Sequence, residues 1–268
     1  MATCYRHPNR ETGVSCSNCG NPICPDCMTA TPVGMRCPDC AGQKTRVHTA
    51  RTMYVAPTVT YVIIGICVLL FFGAGGSFGG GGGNKGFRDF ALWGPLVAEG
   101  EYWRLVTSGF MHSGLLHLGF NMYILYWLGT QMEPSLGHLR FAALYLASLL
   151  SGSFGVMLLD PNAVTVGASG AVFGLMAAAF VMQHARGINP MQSGLGMLIL
   201  LNLGITFLVP NISIGGHLGG LVGGIVATFA LMRYPTRGPQ RMVGMLVAVG
   251  VGVASVAIAY ARVRGYVV

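Results

Sequence analysis

The chain has 268 residues, of which 9% are charged and 53% apolar, with a net charge of +8. Average soluble proteins carry about 25% charged residues. A mean hydropathy of +0.59 therefore excludes both a soluble globular fold and a disordered chain, which needs high charge and low hydrophobicity. On so apolar a chain the basic excess reads as membrane-protein loops rather than a nucleic-acid surface, so no nucleic-acid partner is expected.

Seven of the eight cysteines lie in the first 40 residues. They form four pairs of donors, each separated by two residues: Cys4 and His7, Cys16 and Cys19, Cys24 and Cys27, Cys37 and Cys40. Eight donors are enough for two tetrahedral zinc sites. A head this small has too little core to fold unaided, so two structural zinc ions would supply folding energy. Disulfides are the competing reading, disfavoured by a cytoplasmic placement. The spacing resembles B-box-type zinc fingers, whose pairs interleave. That resemblance implies Cys4, His7, Cys24 and Cys27 on one ion and Cys16, Cys19, Cys37 and Cys40 on the other. Pairing in sequence order is the alternative.

Residues 1–40 are thus expected to be a zinc-binding domain, and residues 41–57 a basic linker carrying Lys44, Arg46 and Arg51. The start, MATCYRHPNRETG, lacks the apolar stretch of a signal peptide. From Thr58 onward seven segments suit membrane helices, near 58–76, 115–132, 139–158, 169–185, 194–210, 216–232 and 242–261. The glycine-rich run GGSFGGGGGNKG reads as flexible and low in complexity. The aromatic, amphipathic stretch after it suits the membrane–water interface.

With the N-terminus inside, eleven basic residues fall on the cytoplasmic side: Arg6, Arg10, Arg36, Lys44, Arg46, Arg51, Arg140, Arg186, Arg233, Arg237 and Arg241. Five fall outside: Lys85, Arg88, Arg104, Arg262 and Arg264. The positive-inside bias predicts a cytoplasmic N-terminus and, after seven spans, an external C-terminus.

Polar residues inside spans are costly and read as functional. His117 and Asn121 share one face at the start of the second span. Ser169 opens the fourth in Gly167-Ala168-Ser169-Gly170, and His217 opens the sixth in Gly215-Gly216-His217. All four fall at similar depth on the outer side. Together they can make a hydrolase. His217 would take the proton from Ser169, while His117, Asn121 and the Ser169 N–H would hold the oxyanion. No carboxylate is well placed as a third member, Asp160 being nearest in sequence, so a Ser–His dyad is favoured. The soluble-hydrolase elbow G-x-S-x-G is excluded by Ala171. His112, His138 and His184 are read as non-catalytic, and Cys67 as an inert buried thiol.

These residues resemble the rhomboid family of intramembrane serine proteases over roughly residues 58–232. Trp103-Arg104 looks like the family's pair in the first loop, His117-x3-Asn121 its oxyanion motif, and Gly167-x-Ser169-Gly170 its nucleophile. His217 with Gly220 and Gly224 looks like its general-base helix, and Glu133 like a loop-stabilising acid. Phe173 stands where the family often has a tyrosine packed on the catalytic histidine, keeping the ring without the hydroxyl. The resemblance implies an all-α membrane protein: a six-helix rhomboid core at 58–232, then a loop and a seventh helix in 233–268. It further implies cofactor-free cleavage of transmembrane protein substrates in a cell membrane, that of a bacterium. The active site would open outward, with Gly167, Gly170, Phe173, Trp103 and Arg104 supporting the substrate site. The zinc domain is expected to bind a cytoplasmic partner or substrate tail. A catalytically silent membrane escort of the same fold is the rival reading, disfavoured because Ser169 and His217 are both present. A proton-relay transporter is the other, disfavoured because the polar residues cluster at one depth.

Overall fold

A computed structural model describes residues 2–42, 55–73, 85–234, 238 and 240–264. The linker residues Lys44, Arg46 and Arg51, most of the glycine-rich run, and Arg237 lie outside the described residues. The chain divides into two units, Met1–Tyr54 and Val55–Val268.

In the first unit, strands β1 (Ala2–Cys4) and β2 (His7–Thr12) pair antiparallel, as do β3 (Thr29–Thr31) and β4 (Gly34–Arg36). Two one-turn helices, Pro25–Cys27 and α1 (Pro38–Ala41), follow Cys24 and Cys37, each opening on a proline suited to a first helical turn. The buried cluster consists of Ile23 and six cysteines. One aliphatic side chain is no hydrophobic core, so the thiols themselves occupy the centre. Around it, the Tyr5 hydroxyl donates to Asp39 at 2.6 Å, Arg6 pairs with Asp39, and Arg10 pairs with Asp26. The bond from Tyr5, with Arg6 beside it, holds the Asp39 carboxyl below the ordinary carboxylate range.

The second unit is helical. Its seven principal helices are α2 (Thr58–Gly73), α6 (Leu115–Leu136), α7 (His138–Leu159), α8 (Ser169–Ala185), α9 (Leu195–Leu208), α10 (Ile214–Arg233) and α11 (Arg241–Arg264). They fall where the seven apolar segments predict them. His138–Leu159, Ile214–Arg233 and Met242–Arg264 are long and apolar enough to cross a membrane. Thr58–Gly73, Ser169–Ala185 and Leu195–Leu208 are apolar but shorter, and α6 carries more polar residues along its 22.

The aromatic stretch before α6 forms no span. It folds into α3 (Lys85–Phe90), α4 (Gly94–Ala98), α5 (Arg104–Thr107) and a 3-10 turn, Ser108–Phe110.

Helix α7 is central, packed by α8, α10 and α11. Glycine explains how α10 approaches two neighbours at once. Gly215 and Gly219 face Gly155 of α7, while Gly220 and Gly224 face Gly170 and Gly174 of α8. Spaced by four, each set forms a smooth ridge on one side of α10, and a methyl group on any of them would meet neighbouring backbone.

The two ends of this bundle are fixed differently. At one end, the fully buried Glu133 accepts the N–H groups of Val59 and Thr60 at 2.8 Å each and the Thr60 hydroxyl at 2.7 Å. These are free donors of the first turn of α2, where the helix dipole also favours an anion. The expected loop-stabilising acid is thus seen capping a helix, with His138 Nδ1 2.6 Å from the same oxygen that takes the Val59 N–H.

At the opposite end, α11 joins the short helices. Ala259 and Val263 cluster with Leu92, Val97 and Leu105, and Tyr260 meets Tyr102 edge to face at 5.0 Å. The Ser151 and Ser255 hydroxyls lie 3.0 Å apart between α7 and α11.

Candidate active site and metal centres

The loop from Pro161 to Ala168 delivers Ser169 to the start of α8. It is held from outside: Leu92 and Thr165 exchange two backbone hydrogen bonds at 2.9 Å, Gly94 N–H reaches Pro161 O, and Gly167 N–H reaches Ser108 O. Gly167 sits at φ +128°, a conformation that side chains rarely adopt, and a Cβ there would also press on the His117 ring. Ser169 follows at the first position of α8, half-buried, among N–H groups without helical partners.

Ser169 Oγ lies 2.8 Å from His217 Nε2 on α10. The other ring nitrogen, Nδ1, lies 2.7 Å from the hydroxyl of Thr206 on α9. Phe173, one turn after Ser169, stacks on the His217 ring at 4.2 Å between centroids and 20° between planes. Three helices therefore fix the imidazole: α8 supplies the serine and the stacking ring, α9 the hydroxyl, and α10 the histidine.

His117 flanks this pair, its Nε2 beside Gly167. Its Nδ1 is 3.1 Å from Ser113 Oγ, and its ring meets His112 at 5.1 Å. His112 is buried and accepts the Ala168 N–H through Nε2 at 3.4 Å. It thus braces the residue before Ser169. Asn121, expected in the oxyanion hole, donates one amide proton to the His117 carbonyl at 2.8 Å, leaving the second uncommitted among the described residues.

Trp103 and Arg104 stand among the short helices before α6. The buried Arg104 guanidinium binds Glu101 at 2.5 Å and the carbonyls of Arg88 and Ala91 at 2.6 and 2.8 Å. It ties the short helices into one block, while Trp103 is half-exposed. Gly170 gives α10 its close approach to α8. Cys67 is fully buried. Thr206 escapes sequence reasoning, its only trace being two polar residues four apart, Asn202 and Thr206, in an otherwise apolar helix.

In the first unit the donors fall into two groups, Cys4, His7, Cys24, Cys27 and Cys16, Cys19, Cys37, Cys40. Within each, the ligand atoms all lie within 4.8 Å of one another. Both groups interleave the sequence pairs. His7 Nδ1 is 3.4 Å from the Cys24 and Cys27 sulfurs and 3.8 Å from Cys4, and Cys19 lies 3.8 Å from Cys37. Tetrahedral zinc with bonds of about 2.3 Å to sulfur and 2.0–2.1 Å to nitrogen has ligand–ligand edges of roughly 3.5–3.8 Å. The donor sets fit a metal of that kind, with four protein ligands and no open position.

The model of the rhomboid domain family matches residues 99–234. The rhomboid protease GluP of Bacillus subtilis is 35% identical over 182 residues, 65% of this chain and 35% of that protein. The putative rhomboid protease YdcA of the same organism is 35% identical over 145 residues, covering 53% of this chain and 73% of its own. RHOMBOID-like protein 5 of Arabidopsis thaliana is 38% identical over 150 residues, covering 53% of this chain and 48% of its own. The chain therefore spans about a third of GluP and about half of the plant protein. A match over half the chain, carrying the serine and histidine that meet between α8 and α10, establishes that the chain belongs to the rhomboid family.

Proposed function

We propose that the protein is an intramembrane serine endopeptidase that cuts peptide bonds in or near transmembrane helices of other membrane proteins. One observation carries this reading: the 2.8 Å contact between Ser169 Oγ and His217 Nε2, residues 48 positions apart brought together by glycine-lined helices.

His217 Nε2 takes the hydroxyl proton as Ser169 Oγ attacks the scissile carbonyl carbon. The Ser169 N–H, His117 and the uncommitted proton of Asn121 are the donors for the resulting oxyanion. Collapse breaks the C–N bond, and His217 returns the proton to the leaving amine. Water then attacks the acyl-enzyme, with His217 again as base, and releases the carboxylate and the free serine. A substrate peptide bond in a helix is hydrogen-bonded and shielded, so the substrate must unwind locally. Helix-weak residues such as Gly or Pro near the cut lower that cost.

In this reading residues 58–232 are the protease core in a cell membrane, and the loop and helix of 233–268 brace it from one side. The N-terminus is cytoplasmic and the site opens outward. Residues 1–40 hold two zinc ions as structural ligands, contribute no chemistry to cleavage, and recruit a cytoplasmic partner or substrate tail across the 41–57 linker.

The test uses purified protein in liposomes with a reporter transmembrane substrate and a serine-reactive fluorophosphonate. Cleavage and labelling should both vanish in Ser169→Ala while the protein stays folded and inserted. Undiminished turnover by that variant overturns the assignment. A folded wild type that neither cleaves nor labels in several lipids would turn the reading toward a silent escort.

A further inference from the structure

We propose that Thr206 is a positioning residue whose hydroxyl holds His217 in the tautomer that leaves Nε2 bare to take the Ser169 proton. The inference rests on the dyad reading above, and it supplies the partner for Nδ1 that no carboxylate provides.

Thr206 Oγ1 lies 2.7 Å from the carbonyl oxygen of Asn202, one turn earlier in α9. A carbonyl only accepts, so at that distance the hydroxyl proton is spent there. The same Oγ1 lies 2.7 Å from His217 Nδ1. With its proton committed, the oxygen can only accept, so Nδ1 carries the hydrogen. A neutral imidazole has one N–H, and Nε2 is then a bare acceptor 2.8 Å from Ser169 Oγ. The relay runs in one direction, from Ser169 hydroxyl to Nε2, and from Nδ1–H to Thr206 to the Asn202 carbonyl.

Burial makes this contact matter. Thr206 is 2% exposed and His217 is 9% exposed, leaving little room for water to replace the hydroxyl. Without it, Nδ1–H would be an unpaired buried donor, and the opposite tautomer, with Nε2–H facing the serine, would be favoured instead. That tautomer cannot act as the base. Thr206 stands on a helix that carries neither member of the dyad, so the choice is made by tertiary packing.

The experiment uses the full chain, labelled with 15N-histidine in detergent micelles. Two-bond 1H–15N correlations distinguish the tautomers, with His217 assigned by its loss in His217→Ala. Wild type and Thr206→Ser are expected to show His217 protonated on Nδ1, and the isosteric Thr206→Val to lose that preference. In parallel, fluorophosphonate labelling of Ser169 should slow at least about tenfold in Thr206→Val, part of the 10²–10⁴ that a placed general base contributes. Substrate KM should stay near wild type, any fall in the thermal midpoint should be no more than the loss of one buried hydrogen-bond partner brings, and Thr206→Ser should restore the labelling rate. An Nε2–H tautomer in wild type overturns the proposal, and so does a Thr206→Val protein with the wild-type tautomer and labelling rate. If the valine variant unfolds, the wild-type and serine tautomers still decide. An Nδ1–H tautomer that depends on Thr206, in a wild type that never labels, would uphold the positioning role and bring down the dyad reading alone.

Discussion

Gly220 on α10 presses on Gly170 of α8, one residue past the serine, so closely that a methyl group on Gly220 would collide with the Gly170 carbonyl. The same contact sets the distance between Ser169 and His217, which come from the same two helices. Gly220→Ala must therefore push α10 away from α8 or strain both. Overpacking of this kind costs about 1–3 kcal/mol, and we expect a lower thermal midpoint together with loss of cleavage. Gly204 on α9 is the control, because a Cβ there meets nothing within 4 Å. Gly204→Ala should leave cleavage intact. Equal behaviour of the two variants would remove the glycine ridge from the account.

Glu133 offers a stability effect separated from chemistry. Its carboxylate serves two N–H groups and a hydroxyl at the start of α2, all donors. Glu133→Gln replaces one acceptor oxygen with a donor amide and removes the negative charge at the helix N-terminus. The expected cost is about 1–3 kcal/mol, read as a lower midpoint in thermal unfolding. Cleavage at low temperature should remain within a few-fold of wild type. The site lies sixteen residues from His117 on the same helix, about 24 Å at 1.5 Å per residue. An unchanged midpoint would show that the cap contributes nothing.

These two relationships differ in how far the sequence reveals them. The seven helices were legible because apolar runs announce themselves, and the ends matched within a few residues. Ser169 and His217 were legible because a serine and a histidine at helix starts are costly in a membrane. The role of Glu133 was half-visible: an acid at a helix end signals a partner, but the first turn of α2 lies more than 70 residues away. Thr206 was invisible for the opposite reason, since a lone threonine in an apolar helix usually bonds its own backbone. Its hydroxyl does that as well, and only three-dimensional packing shows the second contact. The strands of the first unit are three to six residues long and carry no apolar alternation, so their pairing leaves no periodic trace.

Phe173 stacks flat on the His217 ring, which limits rotation of the imidazole away from Ser169. Aromatic pairing is worth about 0.5–1.5 kcal/mol beyond burial, a factor of roughly 2–10 in rate if it is lost only at the reacting geometry. Phe173→Leu should therefore lower kcat by about that factor with little change in KM. Phe173→Tyr keeps the ring and should stay close to wild type. A leucine variant with unaltered kcat would show that the stack does not position the base.

The interleaved donor groups predict a metal count that sequence-order pairing does not. Cys4 and Cys24 belong to one group, and Cys4 and Cys16 to different ones. If each site needs its four ligands, Cys4→Ser with Cys24→Ser should remove one zinc ion per chain and leave the other. Cys4→Ser with Cys16→Ser should remove both. Pairing in sequence order reverses these results, because Cys4 and Cys16 would then share an ion while Cys24 served the other. Elemental analysis of the purified full-length variants reads the difference directly. The single aliphatic residue at the centre of the unit, Ile23, cannot hold it together alone, so the doubly depleted protein should also become protease-sensitive within its first 40 residues. A metal-free wild type with a protease-resistant head would overturn the zinc assignment altogether.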